Sequence, residues 1–154
     1  MTLPKPAALQ MLEIVVSRLQ AIQTADGFHT DIGSNVLLGV PTVAEGEFGI
    51  RVFATDEEAG PGTHPRLGLA LTVNVQAQIP IADVPDFGEL PELVIADIQK
   101  AVELEDRSLG GLAPNGLVYF GRKIAYPREI PSVVAAVLYL ARYQRRYGSP
   151  DKRA

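Results

Sequence analysis

The stretch LGLALTVNVQAQI, Leu67 to Ile79, decides how the fold is interpreted. Every second residue in it is apolar, and the residues between them are small or polar and carry no charge. Because side chains alternate between the two faces of a strand, this pattern predicts one long β-strand with a single buried face. The face predicted to be buried comprises Leu67, Leu69, Leu71, Val73, Val75, Ala77 and Ile79. The opposite face suits contact with water or with another subunit rather than burial in a core.

Two amphipathic helices are predicted on either side of the strands at the start of the chain. From Pro6 to about Gln23, apolar residues recur at spacings of three and four, which indicates one buried helical stripe. Gly27 is expected to take the left-handed conformation after this helix, and Phe28 is expected to fold back onto its apolar side. A second helix is predicted around Pro91 and is expected to run to about Glu105.

Four further apolar segments predict the rest of the sheet. They are NVLLG, FGIRVFAT, LVYFGRKIAY and VVAAVLYLARYQRRY. The last of them is apolar on both faces through Leu140, which predicts a central position in the sheet. Helix, three strands, helix and two strands together predict an α+β fold. Two helices would pack on one face of a mostly antiparallel, four- to five-stranded sheet.

Length and composition predict a single domain over residues 1–154. The chain has 154 residues and no cysteine, which excludes disulfides, thiolate catalysis and cysteine-ligated metals. Pro4, Pro6 and Glu13 interrupt the apolar N-terminal residues, so neither a signal peptide nor a membrane span is expected. Glycine, proline and charge predict a flexible loop at about 56–66, and a loose basic end is expected at about 148–154.

Charge is divided unevenly along the chain. Residues 1–115 carry 6 basic and 16 acidic side chains, whereas residues 116–154 carry 8 and 2. Strand alternation divides the basic cluster near the C-terminus, with Arg142 and Arg146 on one face and Arg145 on the other. Such a split suits identical subunits that meet through acidic and basic surfaces, and it also permits binding to a polyanion such as DNA.

The motif GFHTDIG, Gly27 to Gly33, contains one of the two histidines. A metal site would need a further ligand beside His29 and Asp31, and a catalytic triad would need a nucleophile that the sequence does not place nearby. Turn residues of this kind usually satisfy backbone groups, so the motif is interpreted as a turn. No phosphate-binding motif is present, and no catalytic, cofactor or metal residue is predicted.

With these elements in place, the chain resembles the tail-terminator (minor tail) proteins of long-tailed bacteriophages and Mu-like prophages. The segments that carry the resemblance are LEIVVSRLQAI, GFHTDIG, TVNVQAQI, LVIADIQKAV, GRKIAYPRE and YLARYQRRYGSP. The resemblance spans most of the chain and consists of a pattern of segments, with no catalytic signature. It implies a small α+β subunit of a homohexameric ring that caps the completed tail tube and joins it to the head-side connector.

The resemblance also implies where the protein acts and what it contacts. The expected partners are other copies of the chain, the tail tube protein and a connector or stopper protein; DNA would only pass through the lumen, and no membrane partner is expected. The location would be the head-proximal end of the virion tail, with the host cytoplasm as the place of assembly. Candidate interface residues are Phe28, His29, Asp31, Glu57, Glu58, Arg142, Arg145 and Arg146. The alternatives are another neck or tail component, such as a connector or stopper subunit, and a small hydrolase that uses His29 and Asp31.

Overall fold

The structure, a computed structural model, describes residues 3–40, 47–60, 66–80, 88–126 and 132–153. Its α-helices are α1 (Ala7–Leu19) and α2 (Glu89–Glu103). Its strands are β1 (Val36–Leu38), β2 (Gly49–Gly60), β3 (Arg66–Pro80), β4 (Leu117–Ala125), β5 (Ser132–Arg146) and β6 (Ser149–Arg153). Two 3₁₀ turns, Thr24–Asp26 and Ile32–Ser34, connect α1 to β1.

The strands form one mixed, mostly antiparallel sheet. Its order is β1-β2-β3-β5-β4, with β6 paired to the end of β5 and β1 parallel to β2. The α+β class and the two helices on one face are therefore confirmed, but the sheet has six strands rather than four or five. As predicted, β5 lies inside the sheet, between β3 and β4.

One cluster of apolar side chains lies between the helices and the sheet. The alternation predicted for β3 is confirmed, because Val73 and Val75 are fully buried on the face covered by the helices. We call this the inner face, and the face that bears Thr72, Asn74 and Leu138 the outer face. On the outer face Asn74 and Leu138 are half-buried, and Thr72 is buried.

The first helix ends earlier than predicted. It stops at Leu19, and the chain then tightens into a turn in which the Ile22 N–H donates to the carbonyl of Leu19 at 3.1 Å. Ile22 is nonetheless fully buried. It packs in the core although it belongs to the turn, and its apolar side chain therefore extended the predicted helical pattern beyond the end of the helix. Gly27 is left-handed as predicted, with φ of 88°, but it follows the 3₁₀ turn rather than the helix.

Two segments predicted as irregular are strands where the structure describes them. Residues 56–60 of the expected loop belong to β2, and Gly60 pairs with Gly68 of β3; residues 61–65 lie outside the described residues. The expected loose end contains β6, whose Ser149 pairs with Arg146 of β5. Both segments are held by backbone pairing rather than by buried apolar side chains, which explains why a hydrophobic pattern did not indicate them.

Candidate subunit interface

The charged candidate residues of β2 and β5 lie at the same end of the sheet. Glu57 pairs with Leu71 of β3, and Leu71 pairs in turn with Ala141 of β5. One residue further along, Glu58 and Arg142 pair with Ala70 from its two sides. The fold therefore brings together the acidic and basic candidates that stand more than 80 residues apart in the sequence.

A β-bulge decides which of the two neighbouring glutamates belongs to which face of the sheet. The pairing register of β2 with β3 shifts between Ala54 and Glu57. Even-numbered residues of β2 belong to the inner face before the shift, and odd-numbered residues belong to it after the shift. Ile50 and Val52, before the bulge, belong to the inner face, and Glu57 belongs to that face after it. Glu58 consequently belongs to the outer face. These neighbouring carboxylates have different surroundings.

Glu57 already has a partner within the chain. The hydroxyl of Tyr143 donates to Glu57 Oε2 at 2.6 Å, and the ring of Tyr143 is buried. Burial, together with the hydrogen bond to the carboxylate, raises the pKa of Tyr143 above its ordinary value. The hydroxyl thus remains a proton donor at neutral pH. Glu57 fixes the end of β2 against β5, and it is less available to a neighbouring subunit than Glu58.

Glu58 and Arg142 border an open groove on the outer face. The groove has a volume of about 570 Å³, and its lining includes Gly68, Ala70 and Asn115. Both charged side chains are exposed, and neither forms an ion pair within the described ranges. The small residues between them leave the groove open to a side chain of another molecule.

Arg145 and Arg146 occupy opposite faces, as strand alternation predicts. Arg145 is half-buried, and its Nη1 donates to the carbonyl of Arg146 at 3.3 Å. Arg146 is exposed and pairs through its backbone with Arg66 of β3 and with Ser149 of β6. The basic end of β5 therefore presents charge on both faces, and only β3 separates it from the acidic end of β2.

The other three candidate residues, Phe28, His29 and Asp31, belong to a different site, the turn before β1. His29 contributes its backbone N–H, which donates to Asp97 Oδ1 of α2 at 2.9 Å. The backbone N–H of Thr30 donates to Asp97 Oδ2 at 2.9 Å, and the Thr30 hydroxyl donates to the same oxygen at 2.7 Å. Asp97 is only 1% exposed. This carboxylate attaches the turn to the second helix.

The remaining contacts of the turn are also structural. Asp31 Oδ1 accepts hydrogen bonds from the backbone N–H of Thr24 at 2.8 Å and from its hydroxyl at 3.0 Å. The ammonium of Lys100 lies 4.8 Å from the centre of the Phe28 ring, which is a cation–π distance. Within the described ranges, no group of three side chains is placed to hold a metal ion. These contacts support the interpretation of GFHTDIG as a turn.

Sequence reasoning missed Asp97, although a signal for it is present. The residue lies three positions after Val94 and four before Ala101, within the buried stripe of α2. An acidic residue at such a position requires partners, because a buried carboxylate without hydrogen bonds is costly. The identity of those partners, two consecutive residues of the turn, follows only from the tertiary structure.

No protein-family model matches the sequence, and no curated protein matches it either. None of the helices in the described residues is long and apolar enough to cross a membrane. The functional interpretation therefore depends on the arrangement of residues described above and on the resemblance carried by the sequence.

Proposed function

We propose that this chain is a structural subunit of a bacteriophage tail, a tail terminator. Copies of it form a hexameric ring that caps the completed tail tube and receives the head-side connector. The ring belongs to the head-proximal end of the virion tail and assembles in the host cytoplasm. Its function depends on shape and contact, and it requires neither a cofactor nor a metal.

The observation that carries this proposal is the charge at one end of the sheet, which bears Glu58 of β2 and Arg142 and Arg146 of β5 and which we call the charged end. Glu58 and Arg142 lie level with each other on either side of β3, Arg146 lies further along β5, and all three are exposed and without an ion pair in the described ranges. In a closed ring every copy offers both charges to its neighbours, so that one weak contact is repeated at every interface. The interpretation of GFHTDIG as a turn supports the same proposal, since it leaves His29 and Asp31 without a catalytic arrangement.

Deleting the gene from the phage or prophage that encodes it tests the proposal. Tube subunits continue to add to a tube that has no cap, so we expect tails of irregular, excessive length and DNA-filled heads without tails. Electron microscopy of the particles measures both. A plasmid copy of the wild-type gene should restore tails of uniform length.

The same experiment separates the alternative functions. Tails of normal length beside unattached heads would indicate a connector or stopper subunit and would refute a tail terminator. Normal, complete particles would refute any assembly role and would direct attention to a hydrolase that uses His29 and Asp31.

The arginines also permit a second interpretation, in which they hold DNA in the lumen. A ring through which DNA must slide gains nothing from tight phosphate contacts, and the chain carries a net charge of -4. We therefore expect the purified protein to show no retention of double-stranded DNA in a filter-binding assay at low salt. Salt-dependent retention that Arg145→Glu abolishes would support the DNA interpretation instead.

A further inference from the structure

Exposed apolar side chains occur at both lateral edges of the sheet. On β4, Val118 is 47% exposed and Phe120 is 60% exposed. At the opposite edge, Leu37 of β1 is 55% exposed, and Val40, just beyond that strand, is 72% exposed. Clusters of exposed apolar residues indicate contact surfaces more often than isolated ones do. We call these clusters the β4 edge and the β1 edge.

The β4 edge favours contact through side chains over continuous strand addition. Tyr119 pairs with Tyr139 and Gly121 pairs with Leu138, so Phe120 is an extra residue in a β-bulge. A bulge interrupts the regular row of backbone donors and acceptors that an added strand would need. It also leaves the Phe120 side chain exposed at the border of the sheet.

The β1 edge lies at a matching level of the sheet. Leu38 of β1 pairs with Val52, which connects through Val75 and Val137 to Arg122 of β4. The three residues of β1 therefore lie level with residues 122–124 of β4, just beyond the Phe120 bulge. Two copies placed side by side without a shift along the strands would bring Leu37 opposite Lys123, two residues from the end of the Phe120 bulge, so that the two apolar edges adjoin there.

At the charged end of the sheet, the side chains on the two borders are also complementary. Beyond the β1 edge, the border of the sheet is formed by the end of β2, with Asp56 and Glu58 exposed. Beyond the β4 edge, it is formed first by β5 at Arg142 and then by β6, which pairs with the last two residues of β5; Arg142 and Arg146 are exposed. The same side-by-side placement puts acidic side chains opposite basic ones, so both parts of the two borders are complementary.

Strand direction is compatible with this placement. Because β2, β3, β5 and β4 are successively antiparallel, β2 and β4 run in opposite directions, and β1 runs with β2. Rotation about an axis along the strands preserves their direction, so β4 of one copy approaches β1 of the next in the antiparallel sense. A contact between two different surfaces is heterologous, and a heterologous contact generates a ring where the rotation between copies closes and an open filament where it does not.

We propose that copies of this chain join head to tail, with the β4 edge of one copy against the β1 edge of the next. Phe120 packs against Leu37 and Val40, and Glu58 faces the arginines of the neighbour. This inference rests on the proposed ring and names the surfaces that build it. The occupant of each edge is a second copy because the complementary surface is present on the chain itself.

Light scattering after size exclusion tests the proposal with one variant for each edge. Phe120→Glu and Leu37→Glu place a carboxylate in the apolar contact, and each should raise the dissociation constant of the multimer at least about tenfold. Leu104→Glu is the matched control, since Leu104 is 75% exposed just after α2 and belongs to neither edge. It should assemble like the wild type. Circular dichroism and urea unfolding verify that all three variants are folded.

Mixing the two edge variants gives the sharpest result. Phe120→Glu retains an intact β1 edge and Leu37→Glu retains an intact β4 edge, so together they can form one good contact. We expect a one-to-one heterodimer from the mixture and monomers from each variant alone. A Leu37→Glu homodimer would indicate a symmetric contact through β4 and would overturn the proposal. A wild type that stays monomeric at millimolar concentration would overturn it too.

The two proposals fail in different ways. A ring that forms in solution through these edges, while gene deletion leaves tail length normal, would refute the tail terminator and leave the head-to-tail contact standing. Irregular tail length after deletion, with wild-type multimers that neither edge variant weakens, would refute the contact and leave the function standing.

Discussion

Replacing Asp97 by alanine should destabilise the protein by about 3 kcal/mol. The carboxylate is 1% exposed and accepts three hydrogen bonds, at 2.9, 2.9 and 2.7 Å, from His29 and Thr30. A hydrogen bond to a charged group contributes about 1.5–3 kcal/mol, and each buried donor left without a partner costs about 1–3 kcal/mol. These contributions overlap, so we expect less than their sum. For a chain of this size, a loss of about 3 kcal/mol lowers the melting temperature by roughly 10 °C.

Urea unfolding followed by circular dichroism measures this loss. Asp26→Ala is the matched control, because Asp26 is an exposed aspartate in the adjoining 3₁₀ turn; its substitution should change the free energy of unfolding by less than about 0.5 kcal/mol. Thr30→Val removes only the hydroxyl donor and should cost about 1 kcal/mol. In the double variant the two losses should not add, since they concern one network. A loss below about 1 kcal/mol for Asp97→Ala would refute the role assigned to this carboxylate.

Three further predictions concern other parts of the fold. Gly33→Ala should cost about 2 kcal/mol in urea unfolding, because an added Cβ would lie 2.5 Å from a backbone oxygen of the turn after α1. Arg122 Nη2 donates to Glu92 Oε1 at 2.8 Å, and this hydrogen bond lowers the pKa of Glu92. The stability that the pair contributes is therefore present at neutral pH and is lost as the pH falls through the acid range. Arg122→Gln should return that pKa to its ordinary value in an NMR titration; an unchanged pKa would contradict the assignment. Arg145→Glu combined with Arg146→Glu should yield folded monomers in light scattering, and an unaltered multimer would exclude these arginines from the interface.

The sequence predicted those helices and strands that have one face of buried apolar side chains and one face of exposed side chains. β3 was clear because Val73 and Val75 are fully buried whereas Asn74 and Gln76, which alternate with them, are only half-buried. The end of β2 and the strand β6 could not be predicted in the same way, because backbone pairing holds them and few of the side chains that the structure describes there are buried. The Ala54–Glu57 bulge has no signature in the pattern either, since it concerns pairing with another strand.

The candidate site was predicted in part for the same reason. Strand alternation correctly assigned the arginines of β5 to opposite faces, because that rule is local. The turn residues Phe28, His29 and Asp31 were correctly interpreted as a turn, but their attachment to Asp97 depends on how α2 packs. The exposed β1 and β4 edges became visible only once the strand order was known. Hydrophobicity in a short segment does not reveal whether the segment lies in the centre of a sheet or at its border.

The uneven division of charge along the sequence acquires a spatial meaning from the order of the strands. The ends of β2 and β5 are separated by β3 alone, so Glu58 and Arg142 stand two strand spacings apart, about 10 Å between backbones. The screening length at physiological ionic strength is about 8 Å, so attraction across that distance within one copy is weak. An arginine of a neighbouring copy placed directly against Glu58 would interact at contact distance, with several times the energy. Added salt should therefore weaken assembly while leaving the urea midpoint of the monomer nearly unchanged; a parallel loss of both would show that these charges stabilise the fold instead of the contact between copies.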